Sequence, residues 1–344
     1  MCREYKEPSE RLYKFDYMKA FLIFCVVLGH ITYWFPGKSY TLHCTSLWIY
    51  SFHMPAFIFV SGLFSKNTIY KHRWNKIVSY VILYFFMKGL IFFVDIFRGK
   101  AAESLTLFSA DGVEWFALAL FWWYTITILV QCVHPVYVMI VTVCLSIISG
   151  YSDEIGVFMV LQRTLVFYPF FYLGYILDVN QLVKTFQIHK KIKFVSAITI
   201  FIFSYIFVYF NYQQISFWLD IFRGRFSYNE LFDGINYLYG GLYRLLAYMI
   251  SIVMILVLIT IFVLLPIGQS RIISYIGRGT LSTYVFHSPI ISLVFTITIG
   301  IKNFMLETNL FFTSIILSVF LVIFTVIPVF QTFCKKIMYI PLRG

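Results

Sequence analysis

The stretch FDYMKAFLIFCVVLGH, residues 15–30, decides the fold of this chain. From Ala20 to Gly29 it carries no charge, and the apolar character continues to residue 35. Residues 18–35 thus match the roughly 20 residues a helix needs to cross the hydrocarbon of a bilayer. The run is too long for the core of a cleaved secretory signal. The residues ahead of it carry both signs of charge: Arg3, Glu4, Lys6, Glu7, Glu10, Arg11, Lys14 and Asp16. The first span is therefore expected to stay as an uncleaved anchor behind a cytoplasmic segment, residues 1–17.

Nine further apolar runs follow, at 47–65, 77–97, 115–133, 135–149, 157–177, 193–211, 243–265, 281–300 and 310–333. They are continuous and lack strict alternation, which excludes the strands of a membrane barrel. The fifth is short and begins at Pro135, so it is expected to form a tight helical hairpin with the fourth. Composition agrees. Of 344 residues, 60% are hydrophobic and only 12% charged, with a mean hydropathy of +0.83. Soluble domains carry about a quarter charged residues and cannot bury this much apolar surface. The expected class is an all-α polytopic membrane protein of about ten transmembrane helices, with a membrane domain over 18–333 and a tail over 334–344.

Basic residues orient it. With both termini cytoplasmic, seventeen of the 27 Lys and Arg fall on the inner side. Six fall outside: Lys38, Arg98, Lys100, Arg223, Arg225 and Lys302. The net charge of +12 thus follows membrane topology, and no nucleic acid partner is expected. The six cysteines show no CxxC and no metal-type spacing. In this topology only Cys44 faces the oxidising side, so they read as small apolar residues.

Ionisable groups inside a bilayer are expensive and mark candidate functional positions. Lys19 and His30 are eleven residues apart, which brings them within about 20° of one azimuth and separates them by about 16 Å along the helix. The residues alone also fit Lys19 reaching headgroups and His30 as a structural imidazole. His53 is expected at the depth of His30, where the two imidazoles would line one cavity. Ser61-Gly62 reads first as a close-packing pair. The basic stretch KNTIYKHRWNK, 66–76, suits anionic membrane lipids. Asp111 and Glu114, ahead of Trp115, are expected to approach His30, where a carboxylate orients an imidazole. Arg163 in the sixth span needs an anionic partner or a wet cavity. His287 is expected in the cytoplasmic half of the ninth span.

Taken in chain order, these stretches resemble the integral-membrane acyltransferase 3 family. That family opens with Arg or Lys, ten intervening residues and His, the spacing of Lys19 and His30. The resemblance continues through FHMPAFIFVSG (52–62), the basic loop with Arg73 and Lys76, WFALALF (115–121), FYPFFYLGY (167–175) and IGRGTLSTYVFH (276–287). It covers residues 11 to 333, and the WFALALF form looks closer to the sugar O-acetylase branch, which is fucose 4-O-acetylase-like. Lys at position 19 departs from the commoner Arg and loses bidentate phosphate recognition.

The resemblance implies transfer of an acyl group, usually acetyl from cytoplasmic acetyl-CoA. The acceptor would be a hydroxyl of an envelope glycan (exopolysaccharide, capsule or lipid-linked oligosaccharide) at a bacterial cytoplasmic membrane. It implies His30 as the essential histidine and Lys19 as its basic partner, with Arg73 and Lys76 near the coenzyme; Ser61 joins them as a candidate coenzyme contact. Acetyl-CoA is a donor substrate, and no permanently bound cofactor and no metal are expected. In the expected chemistry His30 is the general base, Glu114 or Asp111 holds its tautomer, and Arg163 meets the oxyanion or the acceptor. His53, Trp115, Arg163 and His287 are candidate acceptor contacts. An acetyl-histidine intermediate is the rival mechanism. The other readings are an O-succinyltransferase, with Arg163 or Arg244 meeting the distal carboxylate, and a lipid-linked sugar transporter.

Overall fold

A computed structural model describes residues 13–35, 37–99, 106–109, 112–156, 158–232, 234–297, 303–306 and 309–339. Asp111, residues 1–12 of the N-terminal segment and residues 340–344 of the tail lie outside the described residues. The described part of every apolar run is mainly helical. In chain order the helices are α1 (Tyr13–Thr32), α2 (Tyr40–Tyr50), α3 (His53–Leu63), α4 (Lys66–Tyr70), α5 (Trp74–Phe97), α6 (Trp115–Val130), α7 (Pro135–Ser149), α8 (Leu161–Ile176) and α9 (Val179–Gln187). There follow α10 (Lys190–Ile215), α11 (Trp218–Arg223), α12 (Tyr228–Leu231), α13 (Gly240–Leu264), α14 (Arg271–Arg278), α15 (Thr280–Ile297), α16 (Leu310–Thr325) and α17 (Pro328–Met338).

Among the described residues, five helical stretches are long and apolar enough to span a bilayer: α1, Tyr40–Leu63, α5, α10 and Gly234–Leu264. The shorter α6 and α7 are apolar helices of 16 and 15 residues. One expectation is corrected. The run 310–333 is not a single straight span, because α16 and α17 are bent by 61° across a short break. Pro328 stands at the first turn of α17, where its missing N–H is tolerated, but it cannot continue the hydrogen bonding of α16.

The apolar surface is turned outward. In α10 only Ala197 is buried, and side chains such as Phe203, Phe207 and Phe210 are exposed. Water would not tolerate a helix bared in this way, whereas lipid is as apolar as the side chains themselves. Tertiary order comes from close backbone approach. At Gly174 of α8 an added Cβ would lie 2.1 Å from the Phe59 carbonyl oxygen, and at Gly62 of α3 it would lie 2.0 Å from that of Phe171. These two glycines let α3 and α8 touch backbone to backbone, as small residues do inside membranes. Gly277 does the same for α14 against α1, its Cβ position falling 2.0 Å from the Asp16 carbonyl oxygen.

Helix α1 is central, packing on α2, α3, α13, α14, α15 and α16. The segment α11–α12 is anchored by Tyr228, whose ring fills the space beside Gly150 and Gly240. Arg244 Nη1 donates to the Ile221 carbonyl at 2.9 Å beneath it. At the rim, hydrogen bonds from Ser227 and Asn229 hold the Asp153 carboxyl below its usual range.

Candidate active site

Lys19 and His30 project from α1, as their spacing requires. Lys19 Nζ pairs with Asp16 Oδ1 at 2.8 Å, one turn earlier on the same helix. The partly exposed His30 ring faces His287 of α15, with ring centroids 5.0 Å apart and planes at 56°. The two imidazoles therefore stand at one level of the bundle, although they lie on helices far apart in the sequence. Hydropathy locates the ends of a span only to a few residues, and the register between two spans is set by packing.

The acidic expectation is corrected too. Glu114 does not turn to His30. Its Oε1 receives Lys88 Nζ of α5 at 2.9 Å, with Glu114 buried and Lys88 nearly so, and Lys88 also donates to the Ser109 carbonyl. Among the described residues, the titratable side chains acting on His30 are His287, His53, Arg223 and Arg163. Within this group His53 donates from Nδ1 to the Ile49 carbonyl at 2.8 Å and lies edge-on to Tyr50 at 4.7 Å. Arg163 of α8 places its guanidinium 4.9 Å from the Trp115 ring centroid, a cation–π pair strengthened by removal from water.

The Lys88–Glu114 pair yields a testable expectation. Removing one partner of a buried ion pair leaves an uncompensated charge and destabilises by about 3 to 5 kcal/mol. Glu114→Gln should therefore lower the thermal midpoint in detergent sharply, and adding Lys88→Met should recover part of the loss. If the double variant is as unstable as Glu114→Gln alone, the two charges are not coupled.

A cavity of about 330 Å³ opens at the end of the bundle where α14 and α17 meet. Lys76, Arg278 and Lys335 line its mouth, and Ser61, Phe116 and Tyr284 lie along its walls. A second cavity shares Arg278, Gln331 and Lys335 with it and adds Lys19. Four cations thus line two adjoining cavities, a suitable cradle for several phosphates. Lys76 is steadied by donating to Thr68 Oγ1 at 3.1 Å, and Ser61 Oγ donates to the Phe57 carbonyl at 2.9 Å. Arg73 is exposed at the start of α5 and is not part of this lining.

Tyr284 connects the cavity to the histidines. Its hydroxyl donates to the Val113 carbonyl, its ring lies 6.4 Å from that of His287, and Glu114 and Arg163 both act on it electrostatically. Lys19, Lys76 and Ser61 therefore gather at the cavities, while His287, Glu114 and Arg163 stand around Tyr284, with His30 against His287 and Trp115 beneath Arg163. His53 stands on the Tyr50 side, and Asp111 lies outside the described residues.

Sequence reasoning passed over Arg278, Lys335, Gln331, Tyr284 and Lys88 as site residues. For Lys88 a signal existed, since it is a charge in the middle of an apolar run. Arg278 and Lys335 look like ordinary inner-face cations until α14 and α17 are brought together.

A protein-family profile for an acyltransferase domain, acyltransferase 3, matches residues 12–328. Neither a search of curated proteins nor one of solved structures finds a match.

Proposed function

Because the chain belongs to the acyltransferase 3 family of membrane acyltransferases, we propose that it carries an acetyl group from acetyl-CoA to a hydroxyl of an envelope glycan. The glycan is an exopolysaccharide, a capsule or a lipid-linked oligosaccharide, and the enzyme works in the cytoplasmic membrane of a bacterium. In this reading ten helices span the bilayer and both termini are cytoplasmic, so the basic cavity opens to the cytoplasm where the donor is made. Lys76, Arg278 and Lys335, with Lys19 adjoining, hold the phosphates of the coenzyme. Its pantetheine arm then follows the cavity wall past Ser61 towards Tyr284, bringing the thioester to His30.

The observation that carries this reading is the continuity of cations, cavity, Tyr284, His287 and His30. Neutral His30 takes the proton of the acceptor hydroxyl as its oxygen attacks the thioester carbonyl. The new C–O ester bond forms, the C–S bond breaks, and His30 returns the proton to the departing sulfur. Arg163, desolvated over Trp115, is placed to stabilise the oxyanion of the tetrahedral intermediate.

The test uses membranes carrying the protein, acetyl-CoA labelled in the acetyl group, and native glycan. Label should appear in glycan together with free CoA. Arg278→Ala and Lys335→Ala should each raise KM for acetyl-CoA about 10-fold, equivalent to about 1.4 kcal/mol of binding, with kcat little changed. Arg73→Ala should have the smaller effect. Unchanged KM in both cavity variants would remove the donor from this cavity, and label confined to water with none in glycan would remove the acceptor class.

A further inference from the structure

The His287 imidazole is fully buried, and its two nitrogens have different surroundings. Nδ1 lies 2.9 Å from the carbonyl oxygens of Thr283 and Tyr284. A carbonyl only accepts, so Nδ1 carries the proton and Nε2 presents a lone pair. That Nε2 is buried and has no hydrogen-bond partner, although buried polar atoms are nearly always paired. The turn that fixes the ring is itself held in place, because Thr325 Oγ1 of α16 donates to Thr283 Oγ1 at 2.9 Å.

His30 packs against this ring, with centroids 5.0 Å apart and planes at 56°. The two imidazoles make no hydrogen bond in the resting arrangement, and a change of side-chain torsion at the partly exposed His30 is what brings an N–H to Nε2. An imidazole acting as a base needs its second nitrogen held by an acceptor, a task that a carboxylate performs in hydrolase triads. Among the described residues, the charged groups acting on His30 include no carboxylate. Of the buried carboxylates, Glu114 is engaged with Lys88 and Asp16 with Lys19. Of the other neighbours, His53 is turned to Ile49 and Tyr50. Arg223 pairs with Asp220 at 2.9 Å, and Arg163 lies over Trp115.

We propose that His287 is the positioning residue of His30, its Nε2 accepting the N–H of the His30 nitrogen that faces away from the substrates. This inference rests on the reading of His30 as general base. The contact fixes the tautomer of His30 so that the other nitrogen offers its lone pair to the acceptor hydroxyl. When His30 takes the hydroxyl proton, the lone pair of His287 Nε2 stabilises the imidazolium by accepting its N–H until the proton passes to sulfur. His287 stays neutral throughout and makes no bond to substrate.

The test compares wild type, His287→Leu, His287→Gln and His30→Ala in proteoliposomes, using labelled acetyl-CoA and native glycan. Folding is checked by monodispersity and thermal midpoint. His287→Leu should lower kcat by roughly 10- to 100-fold with KM for acetyl-CoA unchanged, less than the loss at His30 because orientation is lost and the base is kept. His287→Gln keeps an acceptor oxygen at the reach of Nε2 and should recover most of that rate. Full kcat in a folded His287→Leu overturns the proposal. If the Leu variant does not fold, the Gln variant decides, and a loss as deep as that of His30→Ala overturns it. A wild type that transfers no label overturns the underlying acyl-transfer reading, and this inference with it. An active wild type with indifferent His287 variants overturns this inference alone.

Discussion

His30→Ala should reduce acyl transfer by roughly 10² to 10⁴-fold, the usual worth of a positioned general base, while leaving the protein folded. The two halves of this expectation have separate physical grounds. His30 is partly exposed and its ring makes no hydrogen bond in the resting structure; its neighbours in α1, Val27, Leu28 and Ile31, are the residues packed in the core. Truncation at position 30 therefore removes the proton acceptor without opening the interior. Under the proposed function, binding of acetyl-CoA should persist, because the cations assigned to its phosphates adjoin Lys19, eleven residues back along α1. The measurement is label transfer from acetyl-CoA to glycan at saturating donor, alongside the thermal midpoint of the purified variant. Retention of near-normal kcat would remove His30 from the mechanism in both its forms, direct transfer and acetyl-histidine intermediate.

The second large effect is structural. Gly174→Val should abolish folding, with loss of monodisperse protein and of all activity. A Cβ at this position meets backbone atoms, the Phe59 oxygen at 2.1 Å and the Leu63 nitrogen at 2.8 Å. Neither can rotate away, as the end of a flexible side chain would. The only relief is separation of α3 from α8, and that separation dismantles the site as well. Helix α3 carries His53 and Ser61, and α8 carries Arg163 above Trp115. Gly89 of α5 supplies the control, since an added Cβ there meets nothing within 4 Å. Gly89→Ala should fold and work normally, with a small gain in helix propensity. A Gly174→Val protein that folds with the wild-type thermal midpoint would show that α3 and α8 do not touch backbone to backbone.

Both expectations use residues that the chain itself singles out, but to different degrees. Lys19 and His30 share one face of α1 by helical arithmetic alone, and the spacing together with the later stretches resembles the acyltransferase 3 family whose profile covers residues 12–328. Lys76 and Ser61 were legible as candidates near a basic inner loop and do line the cavity. Arg73 was equally legible and lies outside that lining, because the start of α5 turns one basic residue inward and the other to solvent. Glu114 was recognised as a carboxylate out of place in lipid. The expectation from sequence is that it orients His30, and its partner in the structure is Lys88.

The order of apolar runs, the absence of strand alternation and the periodicity of α1 are local properties, and each can be read along one segment. By itself the sequence determined that the chain is helical and built for lipid, where its helices lie to within a few residues, and which buried charges demand an explanation. Only the tertiary structure decided the bend between α16 and α17, the meeting of Arg278, Lys335 and Lys76 around one cavity, and the pairing of His30 with His287. Those outcomes depend on the rotation, tilt and register of one helix against another. Between apolar helices in lipid these are fixed by a few close backbone contacts, such as those at Gly62, Gly174 and Gly277, because the hydrophobic pattern is nearly uniform around each helix and cannot select a face.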